Sequence, residues 1–191
     1  MKKQIGPGTY VFPTPTYIIG TYNEDGTADV MNLAWGGVCG FKPPCVQISL
    51  NTGRRTRENL LRTGCFTVNI GGVNLMAESD YFGLISGSKA NKLETVGFTS
   101  TRSENVDAPV IDQYPLTLEC RMVDSREIGP HLMVIGEIVG VVCDEDVLDD
   151  KGKPDVKKIK PLGLDPIGHN YIAFDHIVGE AYKEGRKYLN K

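Results

Sequence analysis

A chain of 191 residues, 40% hydrophobic and 24% charged, has the composition of one globular domain able to bury roughly 70% of its unfolded surface. Its formal net charge of −3 removes any general electrostatic case for nucleic acid or an anionic membrane as partner. No run approaches the roughly 20 apolar residues of a membrane span. Met1-Lys2-Lys3 is not followed by the apolar stretch of a signal peptide, and the five cysteines are odd in number with no CxxC, so a cytoplasmic protein with reduced thiols is expected.

Residues 1–16 carry Gly6, Pro7, Gly8, Pro13 and Pro15 and read as an extended arm. Tyr17 to Thr21 is β-prone, Asn23-Glu24-Asp25-Gly26 is a turn, and Thr27 to Met31 returns antiparallel. A Gly-rich turn is expected after Trp35, and another turn at Phe41-Lys42-Pro43-Pro44, because neither proline suits a central strand. Val46, Ile48 and Leu50 alternate with Gln47 and Ser49, the pattern of a half-buried strand.

A short helix near 56–63 follows, with Thr56 as candidate N-cap, Leu60 and Leu61 on its apolar face and Gly64 as its stop. Cys65 to Ile70 reads as a strand, and the spacing of Leu75, Met76, Ala77, Tyr81 and Phe82 predicts a helix near 73–84. Ser86 to Leu93 is a polar loop leading into a short helical turn, and residues 99–113 are expected to be irregular. Leu116, Leu118, Cys120 and Met122 alternate with polar neighbours. Leu132 to Cys143 is apolar on both parities, so it is buried on both faces or lies in a dimer interface. A polar loop is expected over 144–168, its first twenty residues mixing acidic and basic side chains. A last strand over Asn170 to Asp175 and a polar C-terminal helix over Val178 to Leu189 complete a single domain, 1–191. The economical architecture is mainly antiparallel β with peripheral helices, a small closed or split barrel. The absence of regular βαβα alternation and of GxGxxG argues against a dinucleotide-binding Rossmann domain.

Four groups of residues carry candidate chemistry. At the strand-to-helix corner stand Ser49, Leu50, Asn51, Thr52, Arg54, Arg55 and Thr56. Unpaired N–H groups of a helix start, hydroxyls and guanidinium groups are what a phosphomonoester needs; a capped surface helix with two solvated arginines is the plain alternative. Asn32-Leu33-Ala34-Trp35 before Gly36-Gly37 offers amide groups, close backbone approach and an aromatic face for a planar ring such as an isoalloxazine, although a lone tryptophan also serves as core. Ser86, Gly87, Lys89 and Lys92 form a loop with two cations. His131, after Gly129-Pro130, is the candidate proton donor or anion partner; a structural histidine is the alternative. Cys39 and Cys45 flank a turn without further ligands at a metal-site spacing, so no metal is expected.

The run TADVMNLAWGGVCGFKPPCVQISLNTGRRTRENLLRTGCFTVNI, continuing through YFGLISGSKANKLETVGFT to GPHLMVIGEIV, resembles the flavin reductase-like family, in particular its flavoredoxin group. The resemblance implies an FMN-binding split β-barrel that forms homodimers. It implies that Asn32 to Trp35 line the flavin ring and that Ser49 to Thr56 hold the phosphate, chiefly through Arg55 and Thr56. The loop Ser86 to Lys92 would place Lys92 on the flavin, with His131 near the ring. It also implies NADH or NADPH as electron donor and a small-molecule or protein electron acceptor. Related sequences often carry Asn at the position of Asp29; a carboxylate there would point away from the ring or lower its redox potential. The functions left open are an NAD(P)H-dependent flavin reductase, a flavoredoxin-type electron carrier, a ferric-complex reductase on the same site, and a non-redox module for another phosphorylated ligand.

Overall fold

The computed structural model describes residues 1–189. In chain order the first half forms β1 (Thr14–Pro15), β2 (Tyr17–Tyr22), β3 (Ala28–Leu33), β4 (Gly36–Phe41), β5 (Pro44–Asn51), α1 (Arg55–Thr63), β6 (Cys65–Ile70) and α2 (Met76–Leu84). The second half forms α3 (Lys92–Val96), β7 (Ser100–Arg102), β8 (Pro109–Ile111), β9 (Leu116–Ile128), β10 (His131–Cys143), α4 (Val156–Ile159), β11 (Leu162–Asp165) and β12 (Asn170–Ala173).

Seven strands make one antiparallel sheet in the order β3-β2-β6-β9-β10-β5-β4, whose edge strands β3 and β4 are not paired to each other. The sheet therefore curls into a split barrel. Period-2 patterning dictates which side chains enter it. Ile19, Leu33, Val46, Ile48, Leu50, Phe66, Val68, Leu132 and Val134 fill the interior together with Leu60 of α1. β2 and β3 are apolar on the opposite parity too, because Ile18 and Val30 face a second layer containing Phe82 of α2, Leu93 of α3, Ile111 and Tyr114. One strand pair thus serves two cores, and the loop between α2 and α3 is held against β3.

Several expectations are corrected. The stretch after Trp35 is a strand, β4, rather than a turn: its glycines weaken strand propensity, but pairing of Gly36 with Ile48 and Val38 with Val46 overrides it. Residues 99–113 are not wholly irregular, since β7 pairs with β8. Ile111 anchors that ribbon in the second core, and the buried Asn69 side chain accepts from Ile111 N at 3.1 Å and donates to Ile18 O at 3.0 Å. Strands of three residues are too short to show a readable period. The 144–168 segment contains α4 and β11, and β11 pairs with both β12 and the arm strand β1. The expected C-terminal helix is only a 3-10 turn over Glu184–Tyr188 with no buried residue, as befits a segment with no apolar face to pack. In β10, Leu132 and Val134 enter the core while Met133 and Ile135 are only half-covered on the outer face.

Candidate functional site

β5 hands the chain to α1 through Thr52-Gly53-Arg54. The N-cap is Arg54, in extended conformation, and no side chain caps the helix start. Its first-turn N–H groups are therefore free of any side-chain acceptor, and the positive end of the helix dipole is open. The far end closes as expected, with Gly64 at φ +67° bonding back to Leu60 O, a left-handed stop that glycine adopts without strain. Thr56 is not the N-cap. It lies inside the first turn, buried, and its Oγ1 donates to Asp29 Oδ2 at 2.8 Å. The two arginines diverge: Arg54 Nη1 donates to Gly83 O at 3.4 Å, while Arg55 reaches Glu58 at 2.9 Å on the surface.

Beside Arg54 lies a cleft of about 260 Å³ lined by Met31, Asn32, Leu33, Ala34, Trp35, Ser49, Asn51, Arg54, His131 and Leu164. β-sheet register assembles it. His131 opens β10 opposite Asn51, the last residue of β5, and its Nδ1 stands 3.4 Å from Ser49 Oγ. Trp35 is 37% exposed, and its carbonyl accepts from Ser49 N at 2.9 Å, which ties the bend at residues 34–35 to β5. The cleft thus combines an exposed indole, amides, a hydroxyl, one imidazole and one guanidinium. No carboxylate lines it among the described residues. Leu50, a further candidate, is fully buried in the barrel and does not line the cleft.

A second cavity of about 490 Å³ adjoins Arg55, lined by Gly87, Ser88, Asn91 and the carboxylate residues Glu24, Asp25 and Asp29 among others. Gly87 sits so close over Asp29 that an added Cβ would fall 1.9 Å from its Oδ1, so the loop can cover the carboxylate only with glycine there. Ser86 and Ser88 join their hydroxyls at 2.9 Å, and Lys89 is exposed. Lys92 turns inward instead: its Nζ donates to Phe82 O at 3.3 Å and lies 3.7 Å from Asp29 Oδ1. The Lys92 and Asp29 side chains are only 4% and 2% exposed. Burial pushes the Asp29 carboxyl above the ordinary carboxylate range, partly opposed by Lys92 and the Thr56 hydroxyl. It pulls the Lys92 ammonium below its usual value, against the attraction of Asp29.

Asn32, Leu33, Ala34, Trp35, Ser49, Asn51, Arg54 and His131 therefore meet in one cleft, and Arg55 and Gly87 line the other. Ser86, Lys89 and Lys92 line neither. Of the residues missed from the sequence, Met31 adjoins the predicted run, and the others come from farther along the chain. Leu164 of β11 closes the first cleft. Tyr171 of β12 accepts from Asn32 Nδ2 at 3.1 Å and donates to Asp80 Oδ1 at 2.8 Å. The pairing of β11 with the N-terminal arm and the Gly72–Pro161 bridge bring this segment to the cleft, and no local pattern signals them. All five cysteines are free, Cys39 exposed and Cys45 buried. No described helix is long and apolar enough to cross a membrane.

The model of the flavin reductase like domain matches residues 9–163. An uncharacterized protein of Archaeoglobus fulgidus is 31% identical over 147 residues, covering 77% of this chain and 81% of that protein. Among solved structures, the flavoredoxin of Desulfovibrio vulgaris (Miyazaki F) superposes with a TM-score of 0.92 at 34% identity, over 97% of this chain and 100% of that one. The flavoredoxin from Methanosarcina acetivorans gives a TM-score of 0.91 at 31% identity, over 98% and 99% of the two chains.

Proposed function

Because the chain belongs to the flavin reductase-like family and has the fold of the flavoredoxins, we propose that it is an FMN-dependent oxidoreductase. FMN would bind with its ring in the Trp35 cleft and its phosphate at the start of α1. The observation that carries this reading is the lining of that cleft: an indole, amides, His131 and Arg54 converge without a carboxylate. This donor set fits a flat ring with a polar edge and an anionic tail. No side chain caps the start of α1, so a dianion there would meet its open N–H groups and Arg54, with Arg55 released from its surface contact with Glu58 to reach it.

When bound, FMN supplies the hydride and electron chemistry. The chain's own residues position and tune it. Trp35 offers an aromatic wall, Ser49 and Asn51 polar contacts, and His131 a proton or a positive charge at the ring's edge. Asp29 is turned into the pair with Thr56 and Lys92 and is absent from the ring cleft, so its negative charge is partly neutralised before it acts on the flavin. Lys92, neutralising that carboxylate, would act on the ring indirectly. NADH or NADPH as donor rests on the flavin reductase-like family alone. The five free thiols suit a reducing, cytoplasmic compartment.

Purified protein is expected to take up FMN stoichiometrically and to oxidise NADH or NADPH when FMN and an acceptor are added. Protein that stays colourless with added FMN refutes the proposal; uptake without oxidation of either nucleotide leaves the electron-carrier role. We further propose a homodimer. Val38 and Phe41 on the edge strand β4 are 77% and 85% exposed, and the outer face of β10 is only half-covered, apolar surface of the kind that interfaces use. Sedimentation at micromolar concentration is expected to give twice the chain mass, and Phe41→Lys to shift it toward the monomer.

A further inference from the structure

Asn32 is held from behind by a two-step hydrogen-bonded chain with a defined polarity. Tyr171 OH stands 2.8 Å from Asp80 Oδ1 and 3.1 Å from Asn32 Nδ2. An ionised carboxylate only accepts, and a phenol has a single proton. With that proton given to Asp80, the phenol oxygen can only accept from Asn32. The Asn32 side chain must then present its NH2 to Tyr171 and its carbonyl elsewhere. Among the described residues nothing donates to Asn32 Oδ1, and it is not one of the sealed, unpartnered buried atoms. Asn32 lines both the Trp35 cleft and the adjoining recess that contains Asp80, Gly83 and Tyr171. Gly83 backs it, with a would-be Cβ only 3.3 Å from Asn32 Cβ. Burial and the Asp80 carboxylate push the Tyr171 phenol up to about 12, so its proton stays in place across the neutral range.

We propose that Tyr171 and Asp80 are positioning residues that fix the Asn32 amide with its carbonyl oxygen as an acceptor in the cleft, selecting a ligand edge that carries an N–H donor. The inference rests on the FMN reading above. In the oxidised isoalloxazine the polar edge is made of acceptors except for one donor, N3–H. An amide locked in the opposite sense would offer NH2 there and repel it. A lock on the amide therefore becomes a lock on which heteroaromatic edge is accepted.

Dissociation constants for FMN and for N3-methyl-FMN, measured by quenching of flavin fluorescence, test the proposal. The wild-type protein is expected to bind FMN at least tenfold more tightly than the N3-methyl analogue. In Tyr171→Phe, which keeps the ring but removes the polarity constraint, the ratio is expected to fall toward unity. Asp80→Asn, which leaves Tyr171 in place but frees its proton, is expected to lower the ratio as well, and serves if Tyr171→Phe folds poorly. A wild-type protein that does not discriminate, or variants with an undiminished ratio, overturn the proposal while leaving FMN binding intact. Failure of the wild-type protein to take up either flavin removes both this inference and the functional reading beneath it. Loss of affinity for both flavins by the same factor would signal a merely structural role and also overturns it.

Discussion

Lys92→Met is expected to lower the stability of the protein by roughly 3–5 kcal/mol, because it leaves the Asp29 carboxylate buried without its counter-charge. The pair is almost wholly shielded from water, at 4% and 2% side-chain exposure, so solvent screening does not soften the effect. Thr56 Oγ1 alone then holds the carboxylate, and one neutral hydrogen bond does not replace an ammonium. The sign with pH follows from the raised Asp29 carboxyl. Removing Lys92 removes an influence that lowers that value, so the carboxyl rises further. A group whose folded value exceeds its unfolded one destabilises the fold as pH climbs through the interval between them. The deficit against wild type is therefore largest at neutral pH and shrinks as mild acid protonates Asp29. Urea unfolding at the two pH values measures it. Adding Asp29→Asn to Lys92→Met is expected to restore most of the loss, since no buried charge then remains. A Lys92→Met protein as stable as wild type at neutral pH would show that Asp29 is already neutral there.

Arg54→Ala combined with Arg55→Ala is expected to weaken FMN binding by two to four orders of magnitude. Each charge-assisted contact is worth about 1.5–3 kcal/mol, and every 1.4 kcal/mol is about tenfold in affinity. Arg55 gives up little to reach a phosphate, since its partner Glu58 is an exposed i,i+3 neighbour. Riboflavin provides the control. It has the ring and ribityl chain but no phosphate, so its affinity is expected to change far less. Equal losses for FMN and riboflavin would move the phosphate away from the start of α1, and unchanged FMN affinity would dismiss the corner altogether. Thr56 belongs to a different experiment. Its hydroxyl is spent on Asp29 inside the fold, so Thr56→Ala reports on stability through the buried pair rather than on the phosphate.

The residues that local chemistry could place were placed from the chain alone. Alternation at Val46, Ile48 and Leu50 and the Gly64 stop located β5 and α1, since these depend on neighbours a few residues apart. The strand tally led as far as a small antiparallel barrel, closed or split, and the resemblance to the flavin reductase-like family chose the split form, which the superposition on flavoredoxins bears out. Where the determining contact spans a long loop, the sequence is silent. Asn69 anchors β8 from 42 residues away, and Tyr171 reaches Asn32 across 139. Such polar contacts impose no period on the chain.

The same distinction divides the candidate site. The amino-acid sequence determined which side chains were available: an indole beside glycines, two arginines at a helix start, a cationic loop and a histidine opening a strand. Only the tertiary structure decided how they are shared. It turned Lys92 and Thr56 inward onto Asp29, sent Arg54 and Arg55 to different cavities, and set Tyr171 behind Asn32. Burial is the physical reason. A carboxylate removed from water takes the nearest cation and hydroxyl as partners, and which groups are nearest is settled only when β2, β3, α1 and the loop before α3 pack together.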